Sequence, residues 1–103
     1  MHLTRILDEH IEKYNNLKIE NNFDFLKREF KLKEIETYYS YKHLPDAELR
    51  EELLKKAMEI REKKDQLEIE NRSSEEYYDY CCRIEYWFEL TDELKTTFIL
   101  PSK

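Results

Sequence analysis

Residues 73–94, SSEEYYDYCCRIEYWFELTDEL, carry the whole formal net charge of −6 and the only tryptophan of this 103-residue chain. Seven acids stand there against Arg83 alone, threaded with six aromatics: Tyr77, Tyr78, Tyr80, Tyr86, Trp87 and Phe88. Two secondary structures compete for the stretch, and the fold class turns on the choice. As a helix, Ser73 with Glu76 forms a capping box, and Tyr77, Cys81, Ile84 and Phe88 fall within about 60° of arc. As a strand, every even position from Tyr78 to Leu90 is apolar, alternating with Asp79, Arg83, Glu85 and Glu89. The capping box, the acid load and a poor hairpin turn at Thr91-Asp92-Glu93-Leu94 favour the helix.

Glycine is absent and proline stands only at Pro45 and Pro101. Tight hairpins need a residue at positive φ, which glycine usually supplies, so helices joined by Asn, Asp and Ser turns are the easier architecture. The same absence excludes glycine-rich phosphate loops. The expected fold is therefore mainly α: a single domain over 1–103, a bundle of three to four helices with a short extended tail from Lys95 to Leu100. The alternative is α+β, with a C-terminal strand pair at 77–100.

The remaining segments support helices. Leu3, Leu7, Ile11 and Tyr14, widened by Ile6, follow a helical stripe, and Asn21-Asn22 makes a break. From Phe23 to about Tyr41 a second segment puts Leu26, Phe30, Thr37 and Tyr41 on one face, with Lys33 as a gap. Its end, from Ile35 to Tyr41, also alternates like a strand. The third segment is the clearest. Pro45 suits the first helical position, Asp46 and Glu48 favour the positive helix end, and Leu49, Leu53, Ala57, Ile60 and Leu67 form the stripe. Glu51–Lys55, Glu52–Lys56 and Glu59–Lys63 are spaced for ion pairing four apart.

A composition 40% hydrophobic and 41% charged is far more charged than an average domain yet too apolar for disorder. Eight tyrosines, five phenylalanines and Trp87 supply the buried area, at about 150–250 Å² each. No apolar run reaches the ~18 residues of a membrane span, and the start MHLTRILDEH has no signal-peptide core. Adjacent Cys81 and Cys82 close no long loop, so a reduced, cytoplasmic protein is expected. On the helix, Cys81 is expected in the core and Cys82 nearer solvent.

Catalytic parts are missing. His2, His10 and His43 are scattered outside any metal-binding spacing, and no serine has a base or oxyanion loop beside it. His10 reads as a satisfied histidine in or beside the first stripe. The expectation is a non-enzyme with no cofactor and no metal site. The basic run Lys27-Arg28-Glu29-Phe30-Lys31-Leu32-Lys33 is a weak phosphate footprint in an acidic chain, so direct nucleic-acid binding is disfavoured. It reads instead as a solvated face pairing with Asp24, Glu34 or the acidic segment.

Carboxylates set among large amphipathic rings suit contact with a basic protein surface, because charge steers the encounter and aromatics anchor it. The leading expectation is an interaction module that binds and regulates or inhibits a partner protein. Tyr78, Glu85, Tyr86, Trp87, Glu89 and Asp92 are the candidate contact residues. The competing readings are that Trp87 and some tyrosines are core, that the third helix or Phe98-Ile99-Leu100 pairs two copies into a homodimer or adaptor, or, less favoured, that the chain is a small nucleic-acid-binding regulator using the 27–33 cluster.

Overall fold

The computed structural model describes residues 3–70 and 75–97. They form four helices: α1 (Leu3–Asn15), α2 (Asn22–Tyr39), α3 (Asp46–Glu70) and α4 (Glu75–Thr97). No strand occurs among the described residues, so the alternating pattern in 78–90 is helical. The expected extended tail is helical as far as Thr97. Its remainder, with Phe98, Ile99 and Leu100, lies outside the described residues, as does the Ser73 half of the capping box.

The turns show how the chain folds without glycine. Asn21 is extended at φ −155° and accepts the Asp24 N–H through its side chain, while Asp24 accepts the Glu20 N–H at 3.1 Å. This reciprocal cap satisfies orphan donors at the start of α2. At its other end α2 tightens into three-residue turns. Tyr41, Lys42 and Leu44 donate to the carbonyls of Tyr38, Tyr39 and Tyr41, so no residue at positive φ is needed. Pro45 stands one place before its expected position, with its carbonyl accepting the Leu49 N–H at 2.8 Å as an N-cap does.

All of the other helices pack on α4, and α1 also packs on α2. Tyr77 with Glu68 at one end and Trp87 with Leu53 at the other show that α3 and α4 run antiparallel. The main core joins Leu3, Ile6, Leu7 and Tyr14 of α1, Ile35 and Tyr38 of α2, Leu49 and Leu53 of α3, and Tyr86, Leu90 and Leu94 of α4. Each fully buried Leu or Ile contributes about 1.5–3 kcal/mol. A smaller cluster of Ala57, Ile60 and Ile84 lies between α3 and α4, and Trp87 packs against both.

On α3 the five residues expected in the stripe are the five that are buried. Its ion pairs join Lys55 to Glu52 and Lys56 to Glu59, three apart rather than four. Two helices are rotated from expectation. α2 buries Lys31, Glu34, Ile35 and Tyr38, about 90° around from the anticipated Leu26–Phe30–Thr37–Tyr41 face at 100° per residue. α4 buries Cys82, Ile84, Tyr86, Leu90 and Leu94, while Cys81 is half-exposed and Phe88 exposed. The two cysteines thus exchange their expected roles, and burial pushes the Cys82 thiol up to about 11.

The interior is unusually polar. His10 is buried with both ring nitrogens engaged, Nδ1 with the Tyr86 hydroxyl at 2.8 Å and Nε2 with the Glu93 carboxylate at 3.1 Å. It is a satisfied core histidine, as its place in the stripe implied. Lys31 is buried too, its Nζ donating to the Tyr14 hydroxyl at 3.4 Å and lying 3.5 Å from Glu85. It therefore pairs with the acidic segment, but from inside the bundle rather than from a solvated face.

Glu34 is 0% exposed. Arg83 Nη1 approaches its carboxylate at 3.6 Å, and the Tyr38 hydroxyl lies beside it, but neither carboxylate oxygen completes a hydrogen bond. Burial pushes its pKa above the usual carboxylate range, against the pull of Tyr38, Lys56 and Arg83 toward the anion. The folded chain therefore keeps a proton on Glu34 in a pH window where the unfolded chain has released it. That contribution to stability is full below the ordinary glutamate value and is lost as pH rises through the raised one. Glu34→Gln, neutral at every pH, should gain on the wild type in melting temperature as pH rises above the ordinary glutamate value of about 4.3. A thermal-denaturation series in which the gap shrinks with rising pH would mean that the Arg83 attraction outweighs burial.

Candidate functional site

At 100° per residue, α4 has a buried arc facing α1 and α2 (Cys82, Tyr86, Leu90, Leu94) and an adjoining one facing α3 (Tyr80, Ile84, Trp87). What remains for solvent is a narrow outer arc holding Glu85, Phe88, Glu89 and Asp92. With Thr91 these residues line one surface depression of about 400 Å³. Three of the six expected contact residues, Glu85, Glu89 and Asp92, are thereby brought together.

The three carboxylates differ in how committed they are. Glu89 is anchored by Lys13 and by the Tyr14 hydroxyl, both of α1. Burial opposes its ionisation, yet these two donors outweigh burial and hold the carboxyl below its usual range. Reciprocally, burial and the Glu89 carboxylate raise the Tyr14 phenol far above its ordinary value. Glu85 is about half exposed and offers one oxygen to Lys31 at 3.5 Å. Asp92 is exposed and forms no ion pair among the described residues.

The three aromatic candidates lie elsewhere. Tyr86 is 0% exposed. Its ring stacks on Tyr38 at 6.0 Å and meets His10 and Tyr14 edge-on, so it offers no surface to a partner and is corrected to a core residue. Trp87 packs against both core clusters, and its indole N–H donates to the Leu53 carbonyl at 2.7 Å. That geometry ties α4 to α3 and leaves the indole ring partly buried. Tyr78 is half-buried on the α2 side. Its hydroxyl donates to the Phe23 carbonyl at 3.2 Å, and its ring meets Phe23 and Phe30 edge-on. Burial pushes its phenol up to about 12.

Phe88, expected on the single helical stripe with Tyr77, Cys81 and Ile84, is 49% exposed at the edge of the acidic depression. On α3, Leu54 and Met58 are 55% and 71% exposed. Their signal was present in the sequence: two apolar residues four apart, one position past Leu53 and Ala57 of the buried stripe. Arg61, three residues on, holds its guanidinium carbon 5.8 Å from the Phe88 ring, which joins the α3 stripe to the α4 arc.

A second depression, of about 240 Å³, lies between α3 and α4 and is lined by Lys56, Glu59, Ile60, Glu62, Lys63, Gln66, Tyr80 and Arg83. Its cations are largely matched from within the chain. Arg83 Nε donates to Asp79 at 2.9 Å and Nη1 faces Glu34, while Lys56 pairs with Glu59. Among the described residues no three His, Cys, Asp or Glu side chains are grouped to hold a metal ion. No helix of the described residues is long and apolar enough to cross a membrane. The Thr91 hydroxyl in the acidic depression is turned to the Trp87 carbonyl at 2.9 Å. The depression therefore offers negative charge and an aromatic edge, an arrangement suited to contact.

Trp87→Ala should lower stability by about 3 kcal/mol, the low end for removing a large aromatic because the ring is only partly buried. Glu89→Gln should cost about 1–3 kcal/mol by weakening two charge-assisted bonds to α1, whereas Asp92→Asn should change stability by less than about 0.5 kcal/mol. Urea denaturation of the three variants checks this ordering. No protein-family model, curated protein or solved structure matches the chain.

Proposed function

We propose that this chain is a protein-interaction module that binds and regulates a partner carrying a basic surface, and that the outer arc of α4 makes the contact. The observation that carries this reading is the gathering of Glu85, Glu89 and Asp92 around one open depression with the exposed ring of Phe88 at its edge. Same-sign charge lining a concavity focuses the field there and raises the rate of encounter with an oppositely charged surface. Glu85 and Asp92 supply the accessible charge, Phe88 the contact area, and Glu89 fixes the face by tying it to α1. Binding a protein rather than transforming a substrate fits the exposed, single-helix geometry of these carboxylates.

The test changes the free carboxylates and leaves Glu89 in place. Glu85→Gln with Asp92→Lys should keep the melting temperature close to that of the wild type, since exposed ion pairs contribute about 0–1 kcal/mol. Partner proteins retained by the wild type at low salt should be lost by this variant. They should also be released from the wild type as salt contracts the Debye length from about 10 Å at 0.1 M to about 3 Å at 1 M. Equal retention by the folded variant and the wild type at low salt, measured by quantitative mass spectrometry of pull-downs, would remove the outer arc of α4 from consideration.

A further inference from the structure

Glu34 of α2 is closed off from solvent with neither carboxylate oxygen in a hydrogen bond, yet a guanidinium stands beside it. The charged and titratable groups that face it come from three sides. Tyr38 and Tyr41 stand at the end of α2 and in the turn after it, Lys56 on α3, and Asp79, Arg83 and Tyr86 on α4. Among them Arg83 is placed to be shared. Its Nε and Nη2 donate to Asp79 at 2.9 Å and 3.4 Å, while Nη1 stops 3.6 Å from Glu34. A guanidinium carries five donors in one rigid plane, so it can turn from one carboxylate to another without leaving either unserved on the way. Closing the 3.6 Å gap to the ~2.8 Å of a charge-assisted bond takes less than about 1 Å of motion. Lys56, by contrast, is a point charge already paired with Glu59.

We propose that Arg83 is a proton-driven switch: Asp79 holds it while Glu34 is neutral, and it is drawn onto Glu34 when Glu34 ionises, which changes the charge shown between α3 and α4. With a proton on Glu34, Asp79 is the stronger acceptor and the guanidinium stays with it. With Glu34 ionised the order reverses. The Glu34 side chain is 0% exposed and the Asp79 side chain 16%, so water can replace the bond that Asp79 gives up but not one that Glu34 lacks. The proton passes to solvent as pH rises through the raised Glu34 value, which puts the inward state on the high-pH side. The effect reaches the surface, because Arg83 lines the depression of about 240 Å³ and lies over the Tyr80 ring at 5.0 Å. Its inward turn takes a cation from that wall, uncovers Tyr80 and frees the neighbouring Asp79 carboxylate. The switch is independent of the contact proposed for the outer arc of α4, whose carboxylates take no part in it.

Nuclear magnetic resonance of the isotope-labelled full chain reads both partners in one pH titration. The Glu34 side-chain carbonyl carbon reports ionisation, and the Arg83 Nε–H resonance reports which carboxylate holds the guanidinium. In the wild type the two signals should move together with one midpoint. In Glu34→Gln the Arg83 signal should keep its low-pH position through the same range. Asp79→Asn removes the rival acceptor, so the Glu34 midpoint should fall and the Arg83 signal should start nearer its high-pH position. A Glu34 signal that titrates while Arg83 stands still overturns the switch, as does a Glu34 signal that does not titrate before the chain unfolds. An Arg83 signal that moves equally in Glu34→Gln assigns the motion to another group and overturns it too. If Glu34→Gln fails to fold by circular dichroism, Asp79→Asn decides: an unchanged Glu34 midpoint with an unchanged Arg83 signal overturns the proposal.

Discussion

Tyr86 is the point at which the bundle is tied. Its ring stacks on Tyr38 of α2 and meets His10 and Tyr14 of α1 edge-on, and its hydroxyl bonds to His10. One side chain thereby fixes α4 against two helices at once, with a buried hydroxyl that has a partner in place. The next residue, Trp87, turns toward α3 and bonds to the Leu53 carbonyl. Two consecutive aromatics so set α4 between its neighbours, and the rotation of α4 follows from them. Everything on its surface is decided by what those two rings leave uncovered.

That double burial explains why α4 was hard to read. Cys82, Tyr86 and Leu90 make one row four apart, and Tyr80 and Ile84 make another displaced from it by two residues. Interleaved, the rows place apolar residues at every second position, which imitates a strand although both rows belong to a helix. The single stripe of Tyr77, Cys81, Ile84 and Phe88 straddles the boundary between the α3 contact and solvent. α3 had no such difficulty, because it touches the bundle on one side only, and its stripe was legible residue by residue. α2 failed for another reason: two of its four buried positions are Lys31 and Glu34, which no hydropathy pattern places inside. The charged core had to be seen in three dimensions, because the partners of Lys31 and Glu34 lie on α1 and α4, far away in sequence.

The same charged residues explain how a chain poor in aliphatic side chains selects one arrangement. Apolar surfaces tolerate sliding and rotation, since contact energy depends weakly on direction. Lys31 and Glu34 do not. Only one rotation of α2 brings Lys31 to Tyr14 and Glu85 while turning Glu34 toward Arg83. Any other leaves the buried Lys31 ammonium without a counter-ion, at a cost of several kcal/mol. Burying Glu34 without a complete hydrogen bond is itself unfavourable, so the aromatic stacking and the satisfied Tyr86–His10–Glu93 chain must offset it.

Structural demands also sort the acidic surface. Glu93 and Glu89 are engaged with α1, Asp79 with Arg83, and Glu85 in part with Lys31. The net charge of the segment therefore overstates what an approaching molecule would meet. The sequence places the acids on α4 but does not separate carboxylates spent on the fold from those left over. Once that separation is made, the acids left exposed on α4 are Glu75 and Glu76 at its start and Glu85 and Asp92 on its outer arc, while Leu54, Met58 and Phe88 also face water. Charge of that size guides an encounter and orients it, while residence depends on the area covered afterward.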